Sequence, residues 1–291
     1  MHSALLIAAF IFSLSFTGLF RKFALQKAII DLPNERSAHV IPTPRGGGLV
    51  FTVAFYGLLV TLWFLNEVQT PLFLSLLGGI VVAIVGYWDD LYHLKIQWRF
   101  LGHCIAAVWG IAWLPIPHGV DTFLAIFLTV WFINLYNFMD GIDGVAASEA
   151  IFVSVAAGIA LLHHDAGVST LCFGLGAIML GFLCWNWAPA KIFMGDVGSG
   201  FLGYCFAILM WATAAAHSLS ILFWWILLAV FLVDATFTLL RRMIQGKKWY
   251  QAHCEHGYQK LTQKGLSHAK VTLCMMGINI FILLPAAFFL S

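Results

Sequence analysis

Long apolar runs separated by short polar breaks dominate the chain. Ten of them are long enough to cross a bilayer as helices, a crossing that takes about 20 residues. They are 3–20, 46–65, 71–88, 98–115, 122–138, 146–162, 168–186, 198–217, 218–240 and 271–290. The eighth and ninth are nearly continuous, and His217 and Ser218 mark the predicted hairpin tip. The pattern predicts an all-α integral membrane protein of about ten transmembrane helices. No long linker, low-complexity tract or internal repeat interrupts it, so residues 1–291 read as one polytopic domain.

Charge adds an orientation. With ten crossings, the loops 21–45, 89–97, 139–145, 187–197 and 241–270 share one face. All 15 Lys and Arg lie in them or at their edges, with Arg99 just inside the following helix. The opposite connections, such as Asn66–Thr70 and Pro115–Asp121, carry none. The positive-inside rule places the basic face in the cytoplasm and both termini in the periplasm. The first run has no basic segment before it and is followed by Arg21 and Lys22, which suits a retained span. A chain 62% hydrophobic and 10% charged, with a mean hydropathy of +0.92, could not cover a soluble fold with polar surface. The six cysteines form no CxxC pair or disulfide framework and read mainly as apolar packing. His2, His118, His163, His164 and His217 fall at outer ends and read as surface residues. No nucleic-acid partner is expected.

Against this background five aspartates stand out. Asp89, Asp90, Asp140, Asp143 and Asp196 all fall at helix ends on the basic face. Carboxylates are costly near hydrocarbon, so their gathering implies a divalent cation, phosphate chemistry or an ion path. Asp89 and Asp90 close the third span. Adjacent carboxylates can share a metal, or one can be driven toward protonation and serve as a base; they could also be a helix end emerging into water. At the end of the fifth span, Asn134, Asn137, Asp140 and Asp143 recur every third residue, an oxygen-rich stripe suited to a hard cation or a sugar nucleotide. Glycines flank Asp196 in IFMGDVGSG, leaving room for a metal or phosphate, and the following helix start can face an anion. Phe193 beside it could stack on a base or anchor in lipid.

Two longer loops could complete a site. In 31–48, Arg36, His39 and Arg45 stand beside the glycines of PTPRGGG, a combination suited to a diphosphate or to lipid headgroups. In 241–270, the basic run Arg241–Lys248 precedes His253 and His256. HxxH next to Cys254 suggests zinc, but too few further ligands sit at suitable spacing. Imidazoles that grip a diphosphate or act as acid or base are the expected reading. Asp234 and Glu149, inside spans, read as buried partners of cations or as parts of the site.

Taken together, PTPRGGG, the Asp89-Asp90 pair, NFMDGIDG, IFMGDVGSG and the AHxxHGYQ loop resemble, in order and topology from about Asp31 to Leu261, the polyprenyl-phosphate N-acetylhexosamine-1-phosphate transferases. That superfamily includes phospho-MurNAc-pentapeptide transferase. The resemblance implies a ten-helix fold in the bacterial inner membrane with a cytoplasmic active site. It implies transfer of a sugar 1-phosphate from a UDP-N-acetylhexosamine to undecaprenyl phosphate, with release of UMP. By matching positions, Asp196 would bind Mg2+, or Mn2+ in its place, with Asp89 as a second candidate ligand. Asp89 and Asp90 would be essential carboxylates near the lipid phosphate. Asn137, Asp140, Asp143, Asn186 and Phe193 would surround the uridine and sugar. Arg45, His253 and His256 would hold the diphosphate or sugar, and Lys95 and Arg241 join the substrate-binding set. Asp89, Asp90, Asp140, Asp143, His253 and His256 form the expected catalytic group. Where the pentapeptide enzymes carry three successive histidines, this chain has HxxHGYQ. That argues against a muramoyl substrate and for the O-antigen-initiating branch, with UDP-GlcNAc, UDP-N-acetylquinovosamine or UDP-N-acetylfucosamine as donor. A homodimer is a further expectation.

The rival reading is a proton- or cation-coupled transporter using the aspartates as its path. The clustering at one face, away from the midplane, argues against it, as does the lack of a paired broken-helix pattern. A CDP-alcohol phosphotransferase ranks lower, because its DGxxAR signature is missing.

Overall fold

The structure, a computed structural model, describes residues 2–33, 41–117, 119–247 and 253–290. Arg36, His39, His118 and Lys248 lie outside them.

Every one of the ten predicted runs is helical. They correspond to α1 (His2–Gln26), α2 (Gly48–Phe64), the pair α3 (Thr70–Leu77) and α4 (Gly79–Tyr92), α5 (Ile96–Ala112), α6 (Val120–Phe138), α7 (Val145–Leu161), α8 (Ala166–Asn186), α9 (Asp196–Ala215), and the pair α10 (Ile221–Leu227) and α11 (Ala229–Ile244). A short α12 (Gly257–Gln263) follows. Then come α13 (His268–Ile278), a π-helical turn (Asn279–Leu283) and α14 (Leu284–Leu290). Among the described residues six helical stretches are long and apolar enough to cross a membrane, or seven if the bent α10–α11 pair is one span. α2 and α7 are apolar but only 17 residues each. The chain is a multi-pass, all-α membrane protein.

One expectation needs correction. The ninth run is not a straight span: α10 and α11 meet at 78°. No proline or glycine stands at the break, where Leu228 leaves helical geometry at φ −90°, ψ 8°, so none of the usual sequence causes of a kink announces it. The predicted hairpin tip before it is confirmed, with His217 at φ 55° between α9 and α10.

α9 is the buried axis of the bundle. It packs against α4 and α6, and nearly all of its residues are shielded. Polar groups on and against it pair internally, as a low-dielectric surrounding favours, although among the described residues Trp211 Nε1 finds no partner. The Tyr204 hydroxyl donates to the Ser75 carbonyl (2.6 Å), Ser75 Oγ donates to the Gly110 carbonyl (2.6 Å), and Trp224 Nε1 donates to Thr213 Oγ1 (3.0 Å). Outward-facing apolar residues such as Phe123, Phe127, Val233, Phe281 and Phe289 are exposed, as lipid-facing residues are. The only sheet among the described residues is a two-residue antiparallel ladder, β1 (Ile30–Asp31) and β2 (Thr43–Pro44), which tethers the start of PTPRGGG.

Candidate active site

The site begins with two loops that zip together. The Phe193 amide donates to the Pro44 carbonyl (2.8 Å), Gly47 N–H to the Phe193 carbonyl (3.0 Å) and Gly48 N–H to the Met194 carbonyl (2.8 Å). Glycine is required because the chains touch: a Cβ on Gly48 would meet the backbone of Gly198 and the Met194 carbonyl. The N–H groups of Gly47 and Gly48 are therefore not open to the diphosphate that PTPRGGG suggested. Main-chain carbonyls of the IFMGD segment already take them. Arg45, next in line, donates to the main-chain carbonyl of Asp90.

The Asp89–Asp90 pair splits into two roles. Both oxygens of Asp90 accept backbone N–H groups at the start of α9, from Asp196 (3.1 Å) and Val197 (3.3 Å). A carboxylate there complements the helix dipole as well as the exposed donors. Gly195, at φ 76°, lets the carboxylate approach, since a Cβ would strike it. Asp90 is thus a buried cap that positions Asp196, and the sharing of one metal by both neighbours is not what the geometry offers. Asp89 turns the other way. Its Oδ2 pairs with Arg99 Nη1 (2.8 Å), while Nη2 of the same guanidinium reaches Asp196 Oδ2 (3.3 Å). The other oxygen of Asp196 accepts from Asn137 Nδ2 (2.8 Å), which also reaches Ser199 Oγ (3.0 Å). Asn134 leaves the stripe, donating to its own helix at Val130 O (2.7 Å).

Asn186 is a tie between loops: its Oδ1 accepts from Gly144 N (3.2 Å) and its Nδ2 donates to Ile192 O (3.0 Å). Asp143 Oδ2 accepts from Ala190 N (3.1 Å) and pairs with His268 Nδ1 (3.3 Å). Among the described residues no hydrogen bond or ion pair reaches the Asp140 carboxylate. Burial pushes it well above the ordinary carboxylate range, and the charges of Asp196, Asp90 and Asp143 add to the push. The folded chain then holds a proton that the unfolded chain releases. Stability falls as pH rises from the ordinary aspartate value, about 4, toward the raised one. Asp140→Asn removes that cost. In EDTA at pH 8 its Tm should exceed that of the parent chain by about 2–4 °C, and the gap should shrink at pH 5. Scanning fluorimetry at the two pH values checks this, and a lower Tm for the variant at pH 8 would contradict it.

The last loop folds onto this cluster. The Tyr258 hydroxyl donates to the Phe138 carbonyl (2.9 Å), and Gly141 leaves room for Tyr258 and Gln259. Asp234, inside α11, accepts the N–H groups of Gly257 (2.8 Å) and Tyr258 (3.1 Å). His256 Nδ1 lies 3.5 Å from Asp234 Oδ1, an ion-pair distance too long for a good hydrogen bond. His253 stacks on His256 with ring centroids 4.9 Å apart. Burial first, then His256 and Arg242, pushes His253 down to about 4. At neutral pH it offers a substrate hydrogen bonds and no positive charge. The cations of this loop converge on Glu255, from Arg241 (3.2 Å), Lys247 (3.0 Å) and Arg242. Lys95 is exposed at the start of α5. Glu149 accepts from Asn279 Nδ2 (2.5 Å), deep between α7 and the last helix and apart from the site.

The structure thus joins Asp89, Asp90, Asp196, Asn137 and Arg45 directly, and links Asp143, Asn186 and the HGYQ turn to them through loops. Sequence reasoning used Arg99 only for topology. A lone cation one turn inside an apolar helix is itself a functional signal. His268 gave no local signal, because its partner is 125 positions away.

These elements gather carboxylates and guanidinium groups where α4, α5, α6 and α9 meet. The comparisons give the chain a family. Residues 72–214 match the model of glycosyl transferase family 4. The chain is 30% identical over 285 residues to a probable undecaprenyl-phosphate N-acetylglucosaminyl 1-phosphate transferase of Bacillus subtilis, covering 90% of this chain and 79% of that protein. It is 29% identical to a decaprenyl-phosphate N-acetylglucosaminephosphotransferase of Mycobacterium tuberculosis, covering 88% and 74%. It is also 29% identical to a phospho-N-acetylmuramoyl-pentapeptide-transferase of Levilactobacillus brevis, covering 82% and 81%. The chain belongs to glycosyl transferase family 4.

Proposed function

We propose that this protein transfers N-acetylhexosamine 1-phosphate from a UDP-sugar to undecaprenyl phosphate and releases UMP, at the cytoplasmic face of a ten-span fold in the bacterial inner membrane. Initiation of O-antigen or another envelope polysaccharide is the role that follows. The relatives named for polyprenyl-phosphate GlcNAc-1-phosphate transfer support the reaction class. The single observation that carries it here is the Asp89–Arg99–Asp196 cluster at the end of the bundle.

The donor set fits Mg2+. Asp89 Oδ2 and Asp196 Oδ2 already converge on one cation, the Arg99 guanidinium. Among the described residues no group of three or more His, Cys, Asp or Glu is placed to hold a metal unaided. Mg2+ commonly takes one or two carboxylates and completes its shell with water and substrate phosphates. When bound, it would neutralise the donor diphosphate and the charge that develops in the transition state.

The chain's own groups would do the rest. A lipid phosphate with a second pKa of about 6 is largely a dianion at neutral pH and needs orientation more than deprotonation. Asp89 would orient it or take its remaining proton, and Arg99 and Arg45 would lower the repulsion between two phosphates. An acceptor oxygen attacks the donor's β-phosphorus, the bond to the bridging oxygen breaks, and UMP leaves with the electron pair. The exposed apolar strip of α11, Val233, Phe237, Leu240 and Ile244 with Arg241 at its edge, offers the prenyl chain a route to the site. Asn186, Phe193, Asp140 and Asp143 would face the uridine and sugar.

The test is UMP release by protein purified in detergent, with Mg2+, undecaprenyl phosphate and a panel of UDP-N-acetylhexosamines. Release that needs both lipid and metal is expected, and the best donor names the sugar. Folded protein that releases nothing with any donor, yet carries ions in liposomes, would contradict the reading. Stereochemical inversion at phosphorus is expected for the direct attack. Exchange of labelled UMP without lipid would instead indicate a covalent aspartyl intermediate.

A further inference from the structure

Asp143 is held in place by a residue from the far end of the chain. Its Oδ2 lies between the Ala190 N–H (3.1 Å) and His268 Nδ1 (3.3 Å). The same ring nitrogen is 3.3 Å from the Asp143 amide nitrogen. One turn later, Thr272 Oγ1 donates to the Asp143 carbonyl (3.3 Å). The first two turns of α13 therefore grip Asp143 at its amide, its carbonyl and one carboxylate oxygen. Among the described residues no partner reaches Oδ1, the remaining oxygen.

We propose that His268 is a positioning residue for the donor: it fixes the rotamer of Asp143 so that Oδ1 alone is presented to the nucleoside or sugar end of the UDP-sugar. The inference rests on the transferase reading above. The Ser267 side chain caps α13 by accepting from Lys270 N (3.4 Å), so His268 is not needed to start the helix. Both of its recorded polar contacts go to Asp143. An imidazole nitrogen either accepts or donates, not both at once. With Nδ1 bare it takes the Asp143 N–H. With the ring protonated it gives a hydrogen to Oδ2. Either way Asp143 is tethered through Nδ1, and among the described residues no partner reaches Nε2. A side chain that presents a polar atom where Nδ1 stands should therefore substitute, and one that presents it where Nε2 stands should not.

The experiment measures UMP release and, separately, binding of UDP by calorimetry, for the parent chain, H268A, H268N, H268Q, D143N and the H268A/D143N double variant. H268A should raise KM for the UDP-sugar and weaken UDP binding by about tenfold, with KM for the lipid phosphate unchanged. H268N should restore most of the loss and H268Q should not. The double variant should be no worse than D143N alone, because positioning by His268 counts only while the Asp143 carboxylate is there to be positioned. Donor KM and UDP affinity unchanged in H268A, with the parent chain active, would overturn the positioning role and leave the transferase reading standing. So would losses that multiply in the double variant, or rescue by H268Q in place of H268N. A parent chain that neither releases UMP nor binds UDP would overturn both.

Discussion

Asp196→Asn is expected to lower UMP release by about 10²–10³-fold, the cost of removing one preorganised electrostatic element from an active site. The variant should still fold. Its Oδ1 contact with Asn137 (2.8 Å) and the Asp90 cap on its backbone N–H (3.1 Å) both survive the change. What it loses is the charge that Oδ2 shares with Asp89 across Arg99. The loss should appear in kcat, because the missing charge acts where charge develops on the transferring phosphoryl group. Excess Mg2+ should not rescue it. Kinetics at saturating donor and lipid, with monodispersity by gel filtration as the control, check the prediction. Activity within a few fold of the parent chain would place the metal and the chemistry elsewhere.

The second large effect is steric. A Cβ on Gly86 of α4 would lie within 2.6 Å of the main-chain atoms of Asp196 and Val197. Backbone cannot yield as a flexible side chain can, so the alanine must push α4 and α9 apart at the point where Asp90 caps Asp196. Overpacking a tight interior costs about 1–3 kcal/mol and sometimes more. Gly86→Ala should lower the Tm by several degrees and cut activity by at least an order of magnitude, since a displacement of about 1 Å at a positioned group is enough for that. Gly57→Ala in α2 is the control. Nothing lies within 4 Å of its Cβ, and alanine is the better helix former by about 1 kcal/mol. Its Tm should hold or rise. Equal losses in both variants would mean that the helix contact is not as close as described.

Much of this was legible from the sequence, for identifiable reasons. The ten apolar runs are all helical because length and hydropathy are local properties, but among the described residues only six or seven stretches are long and apolar enough to cross a membrane. The five aspartates could be picked out because charge beside hydrocarbon is costly wherever it occurs. The every-third spacing of Asn134, Asn137, Asp140 and Asp143 predicted one helical stripe, but α6 ends at Phe138 and leaves both aspartates in the loop before α7; the glycines beside Asp196 said that something approaches closely. What approaches was not legible. The carboxylate of Asp90 meets Gly195 and the α9 amides, and that pairing spans 106 positions. For the same reason Asp89 and Asp90, adjacent in sequence, could not be told apart as cluster member and helix cap. The glycine N–H groups of PTPRGGG looked open until their partners in IFMGD were placed. His268 was invisible because its partner Asp143 lies 125 positions away. The 78° break at Leu228 has no residue signature, so tertiary packing must impose it.

The most direct measurement follows the phosphorus. UDP-GlcNAc labelled with 32P at the β-phosphate, or the best donor from the panel, is incubated with undecaprenyl phosphate, Mg2+ and either the parent protein or Asp196→Asn. Label is expected to move into the organic-extractable lipid, one for each UMP released, and the variant to move almost none. Label that stays in water as sugar phosphate while UMP is released would show hydrolysis without transfer. Transfer undiminished in the variant would show that the Asp89–Arg99–Asp196 cluster is not the reacting centre.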